Sequence, residues 1–523
     1  MSKHASVVIL DYGSQYTQLI TRRIRELGIL SHLLPGDASL ERILALEPRA
    51  VILSGGPSSV YDSDAPQLPR GFLEHQARTK LPVLGICYGM QLLARDLGGK
   101  VERAKVREYG RAEVTGVSGK KWMARKFMAW MSHGDEVKEL PPGFECVSRS
   151  ASGAPASMEN AERKLVGLQF HPEVTHTENG RVFLEQFLFE LAGIKPDWDM
   201  SEVAAEQVRL IREKVGPEKH VLCALSGGVD STVAAVLVHQ AIGDRLHCVF
   251  VDHGLLRFKE RERVMELFQK QLHLSVKCVD ASERFLTKLA GVEDPEKKRK
   301  IIGAEFIAVF EESARGISPR PDYLVQGTLY PDVIESSPAP QDGASGKKHS
   351  ATIKSHHNVG GLPADLRFQL IEPLRELFKD EVRALGRKLG VPEDFLRRHP
   401  FPGPGLAVRV IGDITRERLE TLRHVDEVFI DSIIKEGLYE KIWQAFAVFL
   451  PIKSVGVQGD GRTHDHVVAL RAVTSSDGMT ADWYPFEPKF LAHVSSRVCN
   501  EVRGVNRVVY DISSKPPATI EWE

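Results

Sequence analysis

The chain has 523 residues, 42% hydrophobic and 27% charged, which predicts more than one domain, with three as the prior and apolar material for several cores. A formal net charge of −1 gives no bulk electrostatic pull toward nucleic acid or membrane, and no apolar run approaches membrane-spanning length. The six cysteines are scattered without a C-x-x-C pair or zinc-like spacing, and Met1–His4 leads into a strand without a signal-peptide pattern, so a soluble, cytoplasmic protein is expected.

Val7–Leu10 reads as a buried strand, and the helical pattern after Gly13 ends at Leu27, stopped by Gly28. Ala50–Leu53 and Leu81–Ile86 repeat the strand signature with helical segments between them. That alternation predicts a parallel sheet covered on both faces. Gly85-Ile86-Cys87-Tyr88-Gly89 then joins strand to helix as G-x-C-x-G, the form of a nucleophile elbow. The tight turn admits only small flanking residues, and it places the sulfur at a helix N-terminus, which favours thiolate. Taken alone, Cys87 reads more simply as a buried cysteine of an α/β sheet. Further on, the apolar strand Gly167–Phe170 ends at His171, with Glu173 two residues beyond. A nucleophilic thiol needs such a base and such an orienting acceptor. By its residues, His133-Gly134-Asp135 is a turn.

These segments resemble the class I glutamine amidotransferases. The resemblance implies a triad of Cys87, His171 and Glu173, which would attack the side-chain amide of glutamine, release ammonia and hydrolyse a glutamyl thioester. Leu53-Ser54-Gly55-Gly56-Pro57 resembles the family's oxyanion loop, which assigns the amides of Gly56 and Tyr88 to the tetrahedral intermediate. Gln91 and Ser132, His133, Gly134 and Asp135 match positions that hold the substrate.

Ile194–Met200 reads as a linker, followed by a helix with Ala204, Val208, Ile211 and Val215 on one face. Four strands are predicted next, at Val221–Leu225, His247–Val251, Ser275–Val279 and Tyr323–Gly327, again in a doubly wound pattern with ligands at the carboxyl ends of the strands. The first runs into Ser226-Gly227-Gly228-Val229-Asp230-Ser231-Thr232 and a helix. Two glycines, three hydroxyls and a helix N-terminus suit an anion, and they equally suit a capped strand-to-helix turn. The string resembles the SGGxDS loop of the N-type ATP pyrophosphatases, with Thr232 in place of a frequent Ser. That resemblance implies an ATP site at Ser226–Thr232 with Lys379 on the phosphates, Mg²⁺ accompanying ATP and Asp230 as its first candidate ligand. Asp252, at the carboxyl end of a strand, is placed for the adenosine and reads equally as a turn residue. Lys297-Lys298-Arg299-Lys300 opens a helical run without interleaved aromatics and reads as a solvated face. Ser336–Ala351 is expected to be a mobile loop, running into a lid that carries Lys354, His356 and His357. Metal binding by the adjacent histidines is not favoured, because neighbours on a strand diverge.

Arg398–Leu406, with three prolines and two glycines, breaks both helix and sheet. Beyond it, Leu419–Ile433 and Phe490–Val502 carry helical stripes, and His466–Leu470 and Arg507–Tyr510 read as strands of a small α+β domain. Lys515–Glu523 would by default fray. Gln326–Glu335, Ser355–Gly361, His399–Leu406, Val457–Arg462 and Lys515–Glu523 resemble the glutamine-hydrolysing GMP synthase family, in the family's order. That resemblance implies two doubly wound α/β domains, a glutaminase (1–196) and an ATP pyrophosphatase (197–398), followed by a small α+β domain (399–523) for dimerisation. It implies xanthosine monophosphate (XMP) contacts at Arg398, Gln458, Lys515, Thr519, Ile520 and Glu521, a homodimer, and a ligase that uses glutamine, ATP and XMP. Another amidotransferase of this kind, such as a glutamine-dependent NAD synthetase, is the alternative, and residues 399–523 argue against it. A tRNA-thiolating enzyme would want reactive cysteines in the middle domain, whereas Cys223, Cys248 and Cys278 read as buried.

Overall fold

The computed structural model describes residues 4–117, 126–336, 368–458, 461–475 and 480–523, the side chains of residues 334–336 and of Gln458 excepted. The expected loop Ser336–Ala351, apart from the backbone of Ser336, and the residues Lys354, His356 and His357 lie outside the described residues. Two compact units are present, Met1–Asp199 and Met200–Glu523. Among the described residues no helix is long and apolar enough to cross a membrane.

The first unit is built on a nine-stranded sheet. Five strands run parallel, in the order Leu30–Pro35, Ser6–Asp11, Pro48–Leu53, Val83–Ile86 and Leu165–Leu168. Val7, Val8, Ile9 and Leu10 are all fully buried, because helices cover both faces and leave no polar side to alternate with. The sheet then continues in antiparallel sense through Pro155–Asn160, Glu145–Ser150, Lys100–Gly116 and Lys126–Glu139. Here the expected turn at His133-Gly134-Asp135 is a strand. In Lys126–Glu139 every second residue is buried, from Phe127 to Val137, but two of those inward positions are His133 and Asp135, which breaks the apolar alternation. The expected linker belongs to this unit up to Asp199, while Met200 opens the helix Met200–Val215 of the second. The amides of Asp197 and Trp198 donate to the Gly28 carbonyl at 3.0 and 2.9 Å, and Arg25 lies 4.7 Å from the centre of the Trp198 ring.

The second unit contains a five-stranded parallel sheet in the order Val276–Asp280, Leu246–Asp252, Val221–Leu225, Tyr323–Val325 and Gln369–Ile371. A smaller sheet pairs Gln444–Gln458 with Gly461–Thr474, and the latter with Asp482–Trp483 and Val505–Tyr510. One apolar cluster extends from Leu222 and Val249 through Phe285 and Phe310 to Leu406, Phe429, Val468 and Val494. Helices Arg416–Lys435 and Pro488–Glu501 bury the predicted stripes Leu419, Leu422, Val425, Phe429, Ile433 and Phe490, Val494, Val498. Cys223 and Cys248 are buried as expected, while Cys278, on an edge strand, is only partly so.

Two expectations change. The helix Pro295–Arg315 exposes Lys297 and Lys300, but Lys298 is fully buried, so the basic run is not wholly a solvated face. Nor does Thr519–Glu523 fray, being held by bonds described below.

Candidate active sites

In the first unit the turn after Val83–Ile86 places Cys87 at φ +52° and ψ −105°, at the head of the helix Tyr88–Asp96. The backbone on either side leaves no room for a side chain. A Cβ on Gly85 would lie 2.5 Å from the Gly89 carbonyl carbon, and one on Gly89 2.3 Å from the Leu53 oxygen. The Cys87 amide donates to the Leu168 carbonyl at 2.7 Å, which ties the elbow to the strand leading to His171. Its sulfur, on a residue 4% exposed, lies 3.7 Å from the Ser132 carbonyl. His171 and Glu173 are each 1% exposed, and Nδ1 of His171 is 2.7 Å from Oε1 of Glu173. The imidazole is fixed at its main chain as well. Its amide donates to the Trp130 carbonyl at 3.0 Å, and its carbonyl accepts from Thr177 Oγ1 at 2.6 Å. Burial depresses the His171 pKa, but the Glu173 charge and the hydrogen bond with Cys87 outweigh it and hold the ring well above its ordinary value.

The neighbouring loop comes equally close: a Cβ on Gly55 would sit 3.0 Å from His171 Cε1. Tyr88, as first residue of its helix, has an amide with no intrahelical acceptor. Gln91 is 3% exposed and donates to the Asp135 carbonyl at 3.1 Å and to Gln169 Oε1 at 3.2 Å. The Asp135 carboxylate accepts from Ser59 Oγ and Tyr61 OH, both at 2.6 Å. His133 lies between the Asp135 carbonyl at 3.0 Å and Glu108 Oε2 at 3.2 Å. Ser59, Tyr61 and Glu108 were not foreseen in these roles, since nothing in their local pattern marks them.

In the second unit Ser226–Thr232 joins the strand Val221–Leu225 to the helix Val229–Ile242. Gly227 takes φ +74°, and Gly228 is the N-cap. The hydroxyls shape the loop: Ser226 and Ser231 Oγ are 3.0 Å apart, and Thr232 Oγ1 donates to the Gly228 carbonyl at 2.8 Å. Lys379, at the start of the helix Lys379–Lys388, reaches Asp230 Oδ2 at 3.7 Å, so two distant expected residues meet. Asp230 Oδ1 is buried without a hydrogen-bond partner among the described residues. Asp252 ends the adjacent strand, accepting from the Gly254 amide at 2.9 Å and facing Arg261 at 3.4 Å. Among the described residues no three His, Cys, Asp or Glu side chains cluster as metal ligands. The expected XMP residue Arg398 stands by this loop, donating to the Gly227 carbonyl at 3.4 Å and bonding the carboxylate of Glu260. Burial raises the Glu260 pKa, but Arg398 and Arg257 outweigh it and the net shift is downward.

Of the other expected XMP residues, Gln458 ends the strand Gln444–Gln458, and the rest lie along the arm Lys515–Glu523. The amide and carbonyl of Lys515 bridge to Ala481. Arg471 donates to the carbonyls of Thr519 at 2.9 Å and Ile520 at 2.7 Å. Arg409 holds the Glu521 carboxylate bidentately at 2.8 and 3.1 Å, and Gln444 adds a bond at 2.7 Å. Arg409 and Arg471 are fully buried and were missed. Each stands inside an apolar run, Leu406–Val410 and Val467–Val473, and that interruption was the available signal.

A family model described as "Glutamine amidotransferase class-I" matches residues 8–191, and one described as "GMP synthase C terminal domain" matches residues 431–522. The chain is 54% identical to "GMP synthase [glutamine-hydrolyzing]" of Nitratidesulfovibrio vulgaris, with 100% of both chains covered. It is 55% identical to the protein of that name from Carboxydothermus hydrogenoformans, over 99% of this chain and 100% of the relative. With that from Brachyspira hyodysenteriae it shares 53% identity, over 99% of each chain.

Proposed function

The chain belongs to the glutamine-hydrolysing GMP synthase family, and from that premise we propose how its residues divide the work. It is a ligase that makes GMP with glutamine as nitrogen donor, using ATP and XMP. The proposal concerns the site residues, the cation, the subunit assembly and the compartment.

Cys87, as thiolate, attacks the side-chain amide carbon of glutamine. The developing oxyanion is held by the amides of Gly56 and Tyr88. His171, charged and steadied by Glu173, gives its proton to the departing ammonia. It then takes one from the water that hydrolyses the thioester and frees glutamate. The observation that carries this reading is the buried Cys87–His171–Glu173 alignment at a strained elbow. Gln91 and Ser132–Asp135 frame the substrate side of that site. In the second unit the O2 of XMP attacks the α-phosphorus of ATP. The leaving pyrophosphate meets the amides and hydroxyls of Ser226–Thr232 at a helix N-terminus, with Lys379 beside it. Asp252 takes the adenosine end. Ammonia then adds to the activated purine carbon, loses a proton and expels AMP. Arg398, Gln458, Lys515 and Thr519–Glu521 line the XMP side.

A hard, buried and unpartnered carboxylate oxygen on Asp230 fits Mg²⁺, which binds through one or two carboxylates plus phosphate oxygens and water. When bound, the cation supplies neutralisation of the phosphate charge. The division of residues 197–523 into 197–398 and 399–523 rests on the proline-rich stretch at 399–406. A homodimer through residues 399–523 is supported by the exposed apolar side chains Ile452, Val455 and Val457 on the strand Gln444–Gln458. All six cysteines are free, which supports a reducing, cytoplasmic setting.

Cys87→Ala is expected to abolish GMP formation from glutamine and leave synthesis from ammonium intact. Asp230→Ala is expected to stop synthesis from either nitrogen source. Loss of ammonium-driven synthesis in Cys87→Ala would overturn the two-site division, and normal turnover in Asp230→Ala would remove that residue from the site.

A further inference from the structure

Lys298 lies on the inner face of Pro295–Arg315 and has no exposed surface. Its ammonium donates to the Val410 carbonyl at 2.7 Å, the Ala407 carbonyl at 3.4 Å and Glu523 Oε2 at 2.5 Å. Two of its three partners are neutral carbonyls, so Glu523, 225 positions along the chain, supplies the countercharge. The Glu523 side chain is 8% exposed. A buried ammonium without a countercharge is costly, so the pair holds both partners in place. The same short segment is gripped at each residue. Arg471 takes Thr519 and Ile520, Arg409 takes Glu521, Asp511 takes the Trp522 ring nitrogen at 2.9 Å, and Lys298 takes Glu523. Arg409 lies between Ala407 and Val410, whose carbonyls Lys298 also holds. Lys298 therefore secures both the arm and the loop that carries the arm's main cation.

We propose that Lys298 is a positioning residue for XMP: through Glu523 and the Ala407–Val410 loop it fixes Thr519–Glu521 in the conformation that receives the nucleotide. This rests on the reading of the arm as part of the XMP site. It gives a function to a basic run in which Lys297 and Lys300 face solvent.

The test is ammonium-driven synthesis by the full chain, titrated in XMP and separately in ATP, for Lys298→Met, Glu523→Gln and, as a control on the arm itself, Glu521→Gln. Lys298→Met and Glu523→Gln are each expected to raise the KM for XMP about tenfold, the scale of one charge-assisted bond, with the KM for ATP moving less than about twofold. The double variant should be no worse than the more impaired single one, because both remove one interaction. Glu523→Gln keeps the shape and an acceptor for Lys298, so it carries the test if Lys298→Met fails to fold. An unchanged KM for XMP in Glu523→Gln, with a raised KM in Glu521→Gln, would overturn the inference and leave the arm reading standing. Unchanged values in both would overturn the arm reading, and the inference with it.

Discussion

At the level of single residues, His171 is the point where two opposed effects are settled. Burial at 1% exposure would strip the imidazole of its proton, and the Glu173 carboxylate at 2.7 Å together with Cys87 reverses that. The sign of the consequence follows. With the folded-state pKa raised, the stabilisation is fully present below the unfolded value of about 6.5 and is lost as pH rises through the raised one. In the proposed mechanism the charged ring is also the acid that protonates the leaving ammonia, so loss of its proton is expected to set the alkaline limb of glutaminase activity. Glu173→Gln removes the countercharge and is expected to move that limb of the kcat/KM profile to lower pH. A pH–rate profile with the limb unmoved would show that Glu173 does not govern His171. Cys87, His171 and Glu173 were grouped through the family resemblance, since Cys87 taken alone has the pattern of a buried cysteine; the structure brings His171 and Glu173 to 2.7 Å. Lys298 was not legible, since one buried lysine in a run of four cations has the same local pattern as its exposed neighbours.

At the level of elements, both candidate sites use one device: a strand stops, the backbone turns at a positive-φ residue, Cys87 in one and Gly227 in the other, and a helix begins. The cost of filling that turn can be measured. Gly89→Ala would place a methyl 2.3 Å from the Leu53 oxygen and 2.7 Å from its Cβ, a clash with backbone that no rotamer relieves. It is expected to cost about 1–3 kcal/mol and most of the glutaminase activity, read as a lowered unfolding temperature and a fall in kcat. A wild-type melting curve would mean the helix can slide away from the strand. Parallel strands such as Ser6–Asp11, Pro48–Leu53 and Val221–Leu225 were legible from their apolar runs, whereas Leu30–Pro35, broken by Ser31 and His32, and the three-residue Gln369–Ile371 were missed. The antiparallel strand Lys126–Glu139 was not legible, because His133 and Asp135 occupy two inward positions and look like turn residues in a linear reading. The strand Gln444–Gln458 was also missed. Its buried half, Ala445–Phe449, is apolar throughout, and its far half exposes Ile452, Val455 and Val457, so no single period spans it.

At the level of the whole chain, order and composition conveyed more than geometry did. A sulfur site, a phosphate loop and a purine-nucleotide region could be ranked along the sequence, and matches at 8–191 and 431–522 bracket that order. What the linear order hid is how far the second unit is tied together through charge. Arg398 after the helix Glu393–Leu396 meets the phosphate loop, and Lys298 meets Glu523, contacts across 171 and 225 positions. Assembly gives the prediction for this scale. Val457→Asp, at a side chain 74% exposed on the strand Gln444–Gln458, is expected to shift the protein from dimer to monomer in sedimentation velocity. A dimer that persists unchanged would place the interface elsewhere.

The backbone at Cys87 has an evolutionary corollary. At φ +52° and ψ −105° a side chain costs about 1–3 kcal/mol that glycine would not incur, so the relaxed occupant of the elbow is the residue without sulfur. On the reading of Cys87 as the nucleophile, that backbone strain is carried for the chemistry and not for the fold. A cysteine there is kept only while selection rewards nitrogen drawn from glutamine, and in a lineage fed on ammonium the position would be among the first to decay.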